Sequence, residues 1–240
     1  MAHEHGVGAA PTAGLLLTGG ASRRMGFAKG TLVHLDEPVS RTLGMLLGSV
    51  TDPTFEVGPG YSGLPTAEEA SPGLGPVSAV VAGWEACRSA GAPTAVIVLA
   101  CDLPFVTRAL LAWLASRPGG GSVVPVVDGR AQPLCARWSA GDVERMRDLV
   151  ARGDRSFRPL YRSGSVSLVD EGSWGSVAEA RAFADADSPG DLQRLGLSAV
   201  AGVGEGTGAT GDPPVTAPTP PPAGPRAAAA PRPGRGPSPR

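Results

Sequence analysis

The run at residues 94–100, TAVIVLA, constrains the fold more than any other stretch of the chain. It is continuous, apolar and rich in β-branched side chains, with no polar residue after its first. A strand of that kind needs cover on both faces, as a central strand has in a parallel sheet flanked by helices. Shorter strand-like runs at 13–17, 54–58, 122–127 and 165–169 alternate with stretches of helical spacing at 39–50, 77–88, 108–116 and 141–151. Residues 31–35 add a short extended piece. The alternation predicts an α/β fold of three layers, Rossmann-like, with a mostly parallel central sheet.

The two ends of the chain read differently. Residues 1–12 have the composition of a flexible leader. From 199 to 240 Gly, Ala, Pro, Thr and Arg dominate, and a segment of that kind cannot bury a core and is expected to be disordered. One domain, 13–198, lies between. A formal net charge of −1 gives no global basic field, so no nucleic acid or membrane partner is expected. No apolar run approaches the roughly 20 residues that span a bilayer. The first residues lack the basic and apolar regions of a secretory signal. Cys87, Cys101 and Cys135 match neither a zinc spacing nor a disulfide framework, and are read as free thiols in a reducing cytoplasm. His3, His5 and His34 are the only histidines, and none sits in a nucleophile–histidine arrangement.

The chemistry gathers at residues 15–29, LLLTGGASRRMGFAK. A short apolar strand breaks at Leu17 into Thr18, Gly19 and Gly20, and Arg23, Arg24 and Lys29 follow. Paired glycines permit close backbone approach to a ligand, and successive N–H groups in such a turn attract anions. The combination suits a nucleoside triphosphate. It is neither a Walker loop, since Ala28 precedes Lys29 and Gly30 follows it, nor the G-x-G-x-x-G dinucleotide turn. Lys29 is the only lysine in a chain that otherwise uses arginine and has no asparagine. A lone ammonium retained at this position fits a point charge on phosphate. Further on, Asp102 lies just past the carboxyl end of the 94–100 strand, where open α/β sheets bind ligands and where Mg²⁺ finds a carboxylate. A cap for the following helix is the competing role for Asp102, although Thr107 can serve there alone.

Leu17-Thr18-Gly19-Gly20-x-Ser22-x-Arg24-Met25-Gly26-x-x-Lys29 closely resembles the L-A-G-G-x-S-x-R-M-G-x-x-K signature of the molybdenum cofactor guanylyltransferase family and its nucleotidyltransferase relatives. Thr18 for alanine is the visible departure. Gly75-Pro76-Val77 resembles the family's G-P-L turn, with Ala79 replacing its final glycine and either Glu68 or Glu69 standing for its preceding aspartate. Cys101-Asp102-Leu103-Pro104 matches the segment whose aspartate binds the metal. Gln132-Pro133-Leu134 resembles the Q-P-L element near the substrate. Arg155, with Arg158 and Arg162 as rivals, falls where a basic residue meets the pterin phosphate. Residues 183–192 resemble the closing F-x-[ND]-x-[ND]-T-P-E-D-L segment. Asp185 is the favoured second acid at the metal, Asp187 a further substrate-facing acid, and Asp187-Ser188 a good helix start.

The resemblance covers about residues 13–196. It implies Mg²⁺-dependent transfer of GMP from GTP to the terminal phosphate of the molybdenum–molybdopterin cofactor, with release of pyrophosphate. Lys29, Arg24 and Asp102 would be the catalytic set. Leu17, Thr18, Gly19, Gly20, Glu69 and Gly75 would line the nucleotide site. Cofactor-insertion proteins or apo-molybdoenzymes are the implied protein partners of a monomer. Two alternatives stand beside it: a cytidylyltransferase of the same cofactor or another small-molecule nucleotidyltransferase, and a non-catalytic carrier of cofactor and nucleotide. Lys29 and Asp102 together argue against the carrier.

Overall fold

The computed structural model describes residues 11–19, 27–69, 73–118 and 120–200. The leader through residue 10, the tail from 201, and Gly20, Arg23 and Arg24 lie outside the described residues. In chain order the first part comprises β1 (Thr12–Leu17), a 3-10 turn (Lys29–Thr31), β2 (Leu32–His34), β3 (Glu37–Pro38), α1 (Val39–Gly48), β4 (Thr54–Val57) and β5 (Thr66–Ala67). The middle comprises α2 (Pro76–Ala90), β6 (Ala95–Ala100), α3 (Arg108–Ala115), β7 (Ser122–Val127), β8 (Arg130–Ala131), β9 (Cys135–Ser139) and α4 (Ala140–Ala151). The last part comprises α5 (Arg158–Arg162), β10 (Val166–Val169), α6 (Glu171–Trp174), a second 3-10 turn (Ala180–Phe183), α7 (Pro189–Leu195) and β11 (Leu197–Ala199).

The main sheet has the order β10-β7-β9-β6-β1-β4-β5. β1 runs parallel to both β4 and β6, and β10 runs parallel to β7. β9 departs from the parallel pattern: it lies antiparallel between β6 and β7. Its connection to β7 explains this. Asp128 and Gly129 adopt φ of 48° and 74°, the geometry of a tight hairpin turn, and β8 folds back along β7. Seven residues from β7 to β9 are too few for the crossover helix that a parallel neighbour requires. A second, small sheet has the order β11-β2-β3.

Alternation along the central strands divides the core into two layers. Leu15, Leu17, Val96 and Val98 pack with Val80 and Trp84 of α2 and Val143 and Met146 of α4. Leu16, Ile97 and Leu99 face the opposite way, onto Leu43 and Leu47 of α1 and Leu110, Leu111 and Leu114 of α3. Helix α2 lies close on the sheet because residue 83 is glycine. A methyl group there would sit 2.6 Å from Leu15 Cδ2 and 2.7 Å from Val57 Cγ2. Gly83→Ala is therefore expected to destabilise the domain by about 1–3 kcal/mol through overpacking, read as a lower urea midpoint. An unchanged midpoint would show that α2 can lift without loss.

Candidate active site

β1 and β6 end side by side, and the loops that follow them are tied together. The Cys101 N–H donates to the Leu17 carbonyl at 3.0 Å, which places Asp102 next to the residue 18–19 turn. Thr107, not Asp102, caps α3, by accepting from the Leu110 N–H. The Asp102 carboxylate is thus left to the site. Its backbone carbonyl accepts from the Ala186 N–H at 3.1 Å, and this contact draws the 185–187 segment in from the far end of the domain.

Lys29 completes the group. Its Nζ lies 2.6 Å from Asp102 Oδ2 and also pairs with Asp187 Oδ1. The 3-10 turn that carries it is fastened by Ser40 Oγ donating to the Gly30 carbonyl and by the Thr31 hydroxyl donating to the Ala28 carbonyl. The side chains of Asp102, Lys29 and Asp187 are 17%, 26% and 54% exposed, so the Asp102 pair is the better shielded of the two. Burial by itself would lower the lysine pKa. The two carboxylates outweigh it and hold the ammonium above its ordinary value. Lys29 in turn keeps the Asp187 carboxyl below its usual range, whereas burial and the neighbouring Asp187 push Asp185 up.

Lys29 and Asp102 line a cleft of about 240 Å³ together with Leu17, Gly19, Glu69, Gly75, Ala79, Ala100 and Leu134, among others. Of the two glutamates that follow β5, Glu69 lines the cleft and burial raises its pKa, while Glu68 is exposed. Ala79 fills the place of the signature's last glycine and lines the same cleft.

Several expected residues lie elsewhere. Asp187, expected as a substrate-facing acid, pairs with Lys29, while Asp185, expected as the second acid at the metal, neighbours Asp187. Ser188, next to it, caps α7 in a reciprocal box with Asp191. Gln132 does not line the cleft. It sits in the turn before β9, its amide donating to the Arg130 carbonyl, and Leu134 reaches the cleft instead. Leu134 is held there because its carbonyl accepts from the Ala100 N–H at 2.8 Å. Arg155 is exposed and is not among the cleft residues, nor are Arg158 and Arg162. Gly19 does line the cleft, but its N–H and that of Thr18 both donate to the Val57 carbonyl. Any amides free to cradle phosphate therefore belong to other residues.

One residue that the sequence reading passed over is Glu56, fully buried in β4 and bonded to the Thr18 hydroxyl. An acidic residue inside an otherwise apolar strand was the one signal in the sequence, and its link to Thr18 shows only in the fold.

Comparison with known proteins places the chain in a family. A family model described as the MobA-like NTP transferase domain matches residues 14–168. The chain belongs to the MobA-like nucleotidyltransferase family. Lys29 and Asp102 of this MobA-like enzyme fall within the matched segment, and Asp187 lies beyond it. A probable molybdenum cofactor guanylyltransferase of Mycobacterium tuberculosis is 35% identical over 160 residues, covering 62% of this chain and 79% of that protein. One of Mycobacterium marinum is 32% identical over 187 residues, covering 74% and 92%. The fold matches that of molybdopterin-guanine dinucleotide biosynthesis protein A from Archaeoglobus fulgidus, with a TM-score of 0.61 at 18% identity over 76% of this chain and 96% of that one. A nucleotidyl transferase from Methanothermobacter matches with a TM-score of 0.57 at 14% identity, over 77% and 95%.

Proposed function

We propose that this nucleotidyltransferase moves GMP from GTP to the terminal phosphate of the molybdenum–molybdopterin cofactor. The observation that carries the reading is the meeting of Lys29 with Asp102 in the cleft that Gly19 and Gly75 also line, with Asp187 as the second partner of Lys29. The names of the mycobacterial relatives support the choice of base and acceptor.

In the reaction an acceptor phosphate oxygen bonds to the α-phosphorus of GTP while the bond from that phosphorus to the bridging oxygen breaks, and pyrophosphate leaves. The acceptor is a phosphate monoester with a second pKa of about 6, so it is largely ionised at neutral pH and needs no base. The demands on the protein are in-line placement and relief of charge. Lys29 supplies a permanent positive charge; Arg24, which the loop signature implies as a second, lies outside the described residues. Glu69 offers an acceptor to the nucleotide's N–H or O–H groups.

The donor set fits magnesium. Asp102 and Asp187 carry hard carboxylate oxygens, both paired in this structure with the Lys29 ammonium. Among the described residues no group of three His, Cys, Asp or Glu side chains forms a metal cage by itself. A magnesium ion is commonly held in this way, by one or two carboxylates with substrate phosphates and water. Asp102 and Asp187 would hold it, and when bound it supplies neutralisation of phosphate charge.

The test is transfer of α-labelled GMP and CMP onto the cofactor, run side by side with and without Mg²⁺. Transfer from GTP that requires Mg²⁺ is expected. Transfer from CTP alone would keep the site and reassign the base. Binding of GTP with no transfer from either nucleotide would put a carrier in place of the enzyme.

A further inference from the structure

Glu56 lies on β4 opposite Leu16 of β1, one residue before the strand's end. Its carboxylate is fully buried. Oε1 accepts from the Thr18 hydroxyl and, at 2.8 Å each, from the N–H groups of Gly60 and Tyr61. Oε2 accepts from the Ser62 N–H at 2.7 Å and from its hydroxyl at 2.5 Å. Five donors satisfy a charge that burial alone would make costly. The 60–62 turn set by these bonds has a second contact. A Cβ at residue 30 would sit 2.1 Å from the Tyr61 ring, so the ring rests directly on Gly30, the neighbour of Lys29. The same carboxylate therefore reaches the loop's first residue, Thr18, directly and its last through Tyr61.

We infer that Glu56 is a positioning residue of the nucleotide site: it fixes the distance between the two ends of the loop that carries Lys29, and so aims the ammonium at the triphosphate. Thr18 stands where the signature has alanine, and its hydroxyl gives this chain the link. The inference rests on the nucleotide reading of that loop, and its test separates the two.

The full chain, Thr18→Val, Thr18→Ser and Glu56→Gln are compared by amide hydrogen exchange without ligand and by calorimetric titration with GTP and with CTP in Mg²⁺. Thr18→Val keeps all four donors from the 60–62 turn and is expected to melt within about 5 °C of the parent. It raises the Kd of the bound nucleotide about tenfold, as the loss of one bond to a charged group predicts, and speeds exchange at residues 18–19 and 28–31. Thr18→Ser restores both readouts, and Glu56→Gln shows the larger form of the same change if it folds. Unchanged Kd and exchange in Thr18→Val, or a change confined to residues 59–62, overturns the inference. If the parent binds neither nucleotide the proposed function fails, and the exchange pattern alone still decides the role of Glu56.

Discussion

Asparagine in place of Asp102 is expected to cut nucleotide transfer about a thousandfold, ~4 kcal/mol of transition-state stabilisation, while the fold stays intact. The side chain holds no helix, because Thr107 caps α3. The contact that draws in residue 186 uses the Asp102 backbone carbonyl, which asparagine retains. Lys29 keeps its pair with Asp187. A steady-state assay beside a thermal melt separates the effects, with kcat falling and the melting temperature holding. Full activity in Asp102→Asn would remove this carboxylate from the reaction.

The largest loss of stability is expected from Asp142→Ala, about 3 kcal/mol by urea unfolding. Asp142 is wholly buried at the start of α4 and accepts from the hydroxyls of Ser122, Ser139 and Ser165 and from Arg145. These groups join β7, β9 and the approach to β10 at the sheet edge away from the cleft, so activity per folded molecule is expected to hold. Burial pushes the Asp142 pKa up, but the hydroxyl and guanidinium donors outweigh it and leave the carboxyl below its ordinary range. The folded state therefore resists protonation of this group more than the unfolded chain does. Its contribution is complete above about pH 4 and is lost as pH falls through the lower folded value. The alanine variant is expected to show a flatter loss of stability over that acid range. An identical acid profile in the two proteins would count against the assignment.

The parts of this molecule that sequence makes legible are those written in local pattern. The apolar run that became β6 and the carboxylate at its end are of this kind, as is the Ser188 cap. The antiparallel placement of β9 is not local. Helical and strand periodicities say which segments are strands but not which neighbours they take, and the seven-residue link from β7 decided that. Asp185 and Asp187 are two residues apart with neighbouring carboxylates, so sequence pattern cannot choose between them, and the choice of Asp187 for Lys29 is made by the fold that the Ala186–Asp102 contact brings in. Leu134 and not Gln132 reaches the cleft, because the Ala100–Leu134 bond holds that backbone beside the end of β6. Glu56 was hidden because its five donors come from two distant stretches.

The antiparallel insertion of β9 also bears on the order in which the chain can assemble. The β7–β8–β9 region closes through turns of a few residues, whereas the pairing of β1 with β6 joins residues as distant as Thr12 and Ala95. Contacts of long sequence separation form late because the loop between them must close first. The cleft lies on that late side, and its charged group needs Lys29, Asp102 and Asp187 together. A chain still emerging from the ribosome, with residue 187 not yet made, has a growing sheet and no completed site.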